Sequence, residues 1–181
     1  MNMKKFQSGV TLIELLAVMT ILAIFLSFAI AYFKSANVDC KNPELRPGIL
    51  ARAYEANAIG DLGILHLAID RFDLSNGRYP DSLEELRGKY GVNDDVLTDR
   101  WGNAYIIFPV WNAKDMGKVR KYKNQHPVNR SFDLYSKGPD GKTATPMTSM
   151  PGCDDIVMAG DGSYFGYAYR YYAVNSGKSN Q

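Results

Sequence analysis

The chain has 181 residues, 46% hydrophobic and 22% charged, with 21 basic side chains against 19 acidic ones and two cysteines. That length supports one ordinary domain, or a small domain with an accessory segment, and the composition excludes wholesale disorder. Near-balanced charge excludes a general polyanion binder, and two cysteines exclude both a disulfide-stapled mini-protein and a four-cysteine zinc site.

From Val10 to Phe33 the chain carries a single charge, Glu14. A helix of roughly 24 residues at 1.5 Å each spans about 36 Å, enough to cross a bilayer core of about 30 Å. Lys4 and Lys5 precede the run and Lys34 follows it closely, a bias that favours a cytoplasmic N-terminus and an exported remainder. A secretory signal peptide with a cleavage site at Ala29-Ile30-Ala31 is the alternative reading. Against it stand the length of the run and the carboxylate near its start, since signal-peptide cores usually hold about 7–15 apolar residues.

After Phe33, Asn37, Asp39, Pro43, Pro47 and Gly48 predict a break or hinge over 37–50. Helical periodicity resumes from Ala51 to Leu74: Leu62, Leu65, Ile69 and Phe72 share a face with Ala58 and Tyr54 upstream. Such a stripe reads as core, with His66 an edge residue. Asn76-Gly77 stops the helix, and Ser82 with Glu85 in capping-box spacing predicts a short second helix. Beyond residue 100 the period shifts towards two. Strands are expected at Tyr105–Phe108, at Phe132–Ser136, and along the aromatic alternation of Phe165, Tyr167, Tyr169 and Tyr171. A helix followed by a small meander of strands is an α+β domain. Neither His66 nor His126 stands near a nucleophile motif, and no phosphate-binding loop is present, so no enzyme is expected.

Two sets of residues carry a resemblance. Lys4-Lys5-Phe6-Gln7-Ser8-Gly9 followed by Val10-Thr11-Leu12-Ile13-Glu14 resembles the processing motif of type IV pilins and type II secretion pseudopilins. Asn76-Gly77-Arg78-Tyr79-Pro80, Asp99-Arg100-Trp101-Gly102-Asn103-Ala104-Tyr105 and Phe132-Asp133-Leu134-Tyr135-Ser136-Lys137-Gly138-Pro139-Asp140-Gly141 resemble, in order and spacing, the major pseudopilin (protein G) family of type II secretion. The family usually has phenylalanine where Val10 stands, and often proline where Ala104 stands.

The resemblance implies a type IV pilin-like fold, α+β, in which a long N-terminal membrane helix precedes a small antiparallel β-sheet domain. Residues 1–9 are then a leader, removed after Gly9 by a prepilin peptidase that methylates Val10. Residues 10–36 are a transmembrane and filament-core helix, 37–50 a hinge, and 51–181 a periplasmic α+β domain. The implied function is that of a structural subunit assembled from the bacterial inner membrane into a periplasm-spanning filament that drives export of folded proteins. Glu14 sets assembly register by pairing with the free amino group of a neighbouring Val10. The implied partners are further copies of the chain in a helical filament, prepilin peptidase, minor pseudopilins, membrane lipid before assembly, and an inner-membrane platform with a cytoplasmic ATPase.

The resemblance also implies calcium in a C-terminal loop, held by Asp140, Asp154 and Asp155 with backbone oxygen from Lys137 and Lys142. Calcium takes six to eight hard oxygens, which carboxylates and carbonyls supply together. From residues alone Pro139-Asp140-Gly141 is equally a turn, and Thr143–Cys153 differs from the short Gly/Glu-rich loop of the family. Cys40 and Cys153 would share an oxidising compartment, where a disulfide is allowed if geometry permits. Lys114, Lys118, Arg120, Lys121, Lys123 and Arg130 form the densest basic stretch and read as a solvated loop, with nucleic acid not expected. Two other functions stay open: a type IV pilin subunit for adhesion or DNA uptake, and a membrane-tethered periplasmic binding module.

Overall fold

The computed structural model describes residues 11–34, 40, 48–111 and 113–171. The leader 1–9, Val10, most of the expected hinge and the tail after Tyr171 lie outside the described residues. Helix α1 spans Leu12–Lys34 and helix α2 Ile49–Asn76. Helix α2 ends where Gly77 adopts a left-handed φ of 66° and its N–H closes on the Asp73 carbonyl, as the Asn-Gly pair predicts.

Four strands follow: β1 (Ile106–Pro109), β2 (Phe132–Ser136), β3 (Ile156–Ala159) and β4 (Tyr164–Tyr167). They form an antiparallel meander in sequential order, with Ile106 opposite Tyr135, Tyr135 opposite Val157 and Val157 opposite Gly166. An N-terminal apolar helix followed by this small sheet is the α+β, pilin-like arrangement.

The α2 stripe packs as its spacing predicts. Ala58, Leu62, Leu65, Ile69 and Phe72 are buried against Phe132, Leu134, Ile156, Met158 and Tyr167 from the sheet. The opposite face of the sheet is covered as well. Val157 and Ala159 pack there with Tyr122 and Val128 of the β1–β2 connection, Met147 of the β2–β3 loop, and Ala168 and Tyr171 after β4.

Strand β3 has no counterpart among the expected strands: it does not alternate, because all four of its residues are buried between the two cores. Two local expectations change. The aromatic strand stops at Tyr167: a single 3-10 turn over Ala168–Arg170 takes the chain out of the sheet, and Arg170 Nη1 bonds Glu55 Oε1 of α2 at 2.5 Å. The segment after Ser82 is also only one 3-10 turn, Leu83–Leu86, with no side-chain cap from Ser82. Glu85 there binds Arg78 at 2.7 Å and the Asp81 N–H at 2.6 Å instead.

Candidate functional site

Helix α1 is apolar on every side. Its span Leu12–Ile30 has no residue buried, and Leu12, Phe25 and Phe28 are 81%, 68% and 70% exposed. An uncovered surface of that kind requires lipid or other subunits around it. Its hydroxyls are satisfied within the helix, Thr20 donating to the Ala17 carbonyl at 2.8 Å and Ser27 to that of Ile24 at 2.7 Å. Backbone and side-chain polar groups inside a bilayer must be paired in this way.

Glu14, the one acidic residue of this helix, forms a reciprocal cap with Thr11. The Thr11 N–H and hydroxyl both donate to Glu14 Oε2 at 2.9 Å, and the Glu14 N–H donates to Thr11 Oγ1 at 3.3 Å. Thr11-x-x-Glu14 is thus a capping box at the first turn. The spacing Thr-x-x-Glu is itself a sequence pattern for such a cap. Gly9 and Val10 lie outside the described residues, so the amine that would pair with Glu14 has no described position.

The second site is the loop between β2 and β3. Its first turn is held by the Asp99–Tyr105 motif. Asp99 Oδ1 accepts from the Trp101 and Asn103 N–H groups at 3.0 and 2.8 Å, and its other oxygen accepts from the Ser136 hydroxyl. Asn103 Nδ2 donates to the Gly138 carbonyl at 2.8 Å. Arg100 and Tyr105 fasten the motif to α2 through Asn57 (2.6 Å) and Asp61 (2.9 Å), and Trp101 packs edge-on against Tyr54. Gly138 is indispensable by sterics: its φ is +64°, and a Cβ there would lie 2.1 Å from the Asp154 carbonyl oxygen.

That contact brings the two ends of the loop together. Asp140 is exposed on the turn bracketed by Lys137 and Lys142, and its Oδ1 accepts from the Lys142 N–H at 2.7 Å. Asp154 is 5% exposed and its Oδ1 has no hydrogen-bond partner among the described residues. Burial, reinforced by the nearby charge of Asp140, pushes the Asp154 carboxyl up to about 6. A buried carboxylate oxygen with no donor, next to a second carboxylate, suits a hard cation. Asp140 and Asp154 therefore fit calcium.

Asp155 is differently placed. It is fully buried, and its Oδ2 accepts from Arg120 Nη2 at 2.6 Å and from the Thr143 hydroxyl at 2.7 Å. Burial raises its pKa and the Arg120 guanidinium opposes the shift. Its Oδ2 is bound to an internal arginine, while its Oδ1, like that of Asp154, has no hydrogen-bond partner among the described residues.

Cys40 and Cys153 form a disulfide, with Cα atoms 6.1 Å apart across a sequence separation of 113. Cys153 ends helix α3, the single turn Met150–Cys153, so the bond fastens the segment just after α1 to the loop beside Asp154. Of the basic stretch, Lys114, Lys118, Lys121, Lys123 and Arg130 are exposed, as a solvated loop requires. Arg120 does not belong to that surface. It is 3% exposed and faces inward, because its partner Asp155 is fully buried just before β3.

Comparison with known proteins agrees with this architecture. Residues 4–30 match the model of the prokaryotic N-terminal methylation motif, and residues 48–150 match that of type II secretion system protein G. The Type II secretion system core protein G of Escherichia coli (strain K12) is 25% identical over 154 residues, covering 77% of this chain and 86% of the relative. The core protein G of Aeromonas hydrophila is 27% identical over 157 residues, covering 78% of this chain and 90% of the relative. That of Pectobacterium carotovorum is 26% identical over 166 residues, covering 83% of each. No solved structure gives a significant match. With the methylation motif at its start, the uncovered apolar helix behind it, and more than half its length matched by the protein G model, the chain belongs to the type II secretion system protein G family of pseudopilins.

Proposed function

We propose that this chain is a filament subunit of a type II secretion system, a structural component and not a catalyst. The carrying observation is α1: a membrane-length helix with no cover on any side, bearing one carboxylate in its first turn. In this reading prepilin peptidase cuts after Gly9 and methylates Val10, leaving α1 in the inner membrane. The N-terminus is cytoplasmic and the domain from residue 51 onward periplasmic, the orientation favoured by Lys4 and Lys5. Subunits then leave the membrane to stack through α1, where lipid contacts are replaced by contacts between helices. Glu14 is relieved of an isolated charge when it meets the amine of a neighbouring subunit. The work comes from a cytoplasmic ATPase acting through an inner-membrane platform, and minor pseudopilins complete the filament.

Calcium belongs to the same proposal, held by Asp140 and Asp154. It would neutralise a buried carboxylate whose Oδ1 has no hydrogen-bond partner among the described residues.

Chemical cross-linking in intact cells tests the assembly reading. A ladder of multimers is expected in cells with prepilin peptidase and a complete secretion system. Loss of the peptidase should leave only unprocessed monomer. An unchanged ladder without the peptidase would favour a tethered module that associates through its periplasmic domain.

A further inference from the structure

The disulfide determines which end of the domain faces the bilayer. Helix α1 ends at Lys34, and the chain from there to Cys40 is short. Even fully extended it reaches at most about 22 Å. Cys153, bonded to Cys40 with Cα atoms 6.1 Å apart, is thereby drawn to the membrane side. Beside the disulfide lies a cavity of about 350 Å3 whose lining includes Lys123, Met147, Met150 and Tyr169. Lys123 stands in a two-residue turn, where the Tyr122 N–H donates to the Gln125 carbonyl at 2.9 Å and the Gln125 N–H to that of Tyr122 at 2.8 Å. Lys121 leads into this turn, its carbonyl accepting from the Met147 N–H at 3.0 Å. Both lysines are exposed, and Met150 is 57% exposed. Two carboxylates at this end are withdrawn from the surface. Asp154, next to Cys153, is 5% exposed, and Glu55 of α2 is 7% exposed with Arg170 Nη1 on its Oε1 at 2.5 Å. Ammonium charge beside a thioether and a phenol is the mixture that suits a headgroup layer.

We propose that this end of the domain docks on the headgroups of anionic phospholipid in the bilayer that holds α1. The inference rests on the reading that α1 stays in the membrane. Lys121 and Lys123 meet lipid phosphate, and each strengthens docking about fivefold at a negatively charged surface. The disulfide raises the effective concentration of the two lysines there, because it limits how far the domain can stand off. The subunit therefore rests on the membrane before assembly and gives up these contacts when it leaves.

The test places the full-length chain in lipid nanodiscs of phosphatidylcholine, alone or with about 30% phosphatidylglycerol, and times lysine acylation by mass spectrometry. Lys89 is the reference. Its neighbour Tyr90 packs edge-on against Phe72, which lies about 25 Å along α2 from Glu55. Lys121 and Lys123 should react about tenfold more slowly in the anionic discs, with Lys89 equal in both. Salt at about 0.5 M should abolish the difference. In Lys121→Gln the protection of Lys123 should fall to about twofold. Equal rates in the two kinds of disc overturn the proposal, and so does equal slowing of Lys89. Slow reaction in both kinds, which cover by a second copy would give, overturns it too. Inorganic phosphate that protects both lysines in neutral discs would assign the surface to the free anion and overturn the lipid as its partner. A chain that elutes apart from the discs overturns the membrane reading of α1 and this inference with it. A chain within the discs whose two lysines are unprotected overturns this inference alone.

Discussion

Replacing Cys40 and Cys153 together with serine lowers the melting temperature of the full-length protein by about 10–20 °C. The bond closes a loop of 113 residues. In the chain-entropy description a loop of that length is worth roughly 5 kcal/mol, and a protein of this size loses roughly 2–4 °C per kcal/mol. The location adds a structural effect. Cys153 neighbours Asp154, whose unpartnered oxygen relies on the loop being held, and Cys40 fastens the chain that emerges from α1. Thermal unfolding followed by circular dichroism, under oxidising conditions for the wild type, measures the difference. A double variant melting within about 2 °C of wild type would show that the non-covalent contacts of the loop suffice.

Filament assembly falls about a hundredfold for Glu14→Ala and equally for Glu14→Gln, with the chain still inserted in the membrane. The two substitutions separate charge from capping. Glutamine can serve in a capping box, so it keeps the bond to the Thr11 N–H but carries no charge. Loss of the cap alone costs roughly 1 kcal/mol, whereas leaving one member of a buried ion pair unpaired costs about 3–5 kcal/mol. The lower figure of about 3 kcal/mol corresponds to roughly a hundredfold in an association constant. Quantifying filaments sheared from cells, against total membrane-bound chain, gives the ratio. Assembly of Glu14→Gln at the wild-type level would assign Glu14 to helix capping and remove it from subunit pairing.

Much of the fold was readable in the sequence where one face of an element is buried and the other is not. The Leu62–Leu65–Ile69–Phe72 stripe and the Asn76-Gly77 stop follow directly from periodicity and turn chemistry. Strand β3 was not readable, since Ile156-Val157-Met158-Ala159 is buried on both faces and carries no alternation. The early end of β4 depends on Arg170 reaching Glu55, residues 115 positions apart that no local pattern connects.

At the sites the contrast is similar. Thr11-x-x-Glu14 is a short-range pattern visible to inspection. The Asp99–Tyr105 motif announced itself by composition, but its role of bracing the Ser136–Gly138 turn needed the fold. Arg120 was hidden among exposed lysines. Its partner is 35 positions away, and the pair forms only because the β1–β2 connection folds back over the sheet.

The mature N-terminus, read by intact-mass and peptide mass spectrometry on chain purified from cells with an active secretion system, tests the central claim most directly. The expected result is an N-methylated Val10 as the first residue, with α1 retained behind it. A chain beginning at Tyr32, as signal-peptide cleavage after Ala31 would give, or one still carrying Met1 in assembled material, would contradict it.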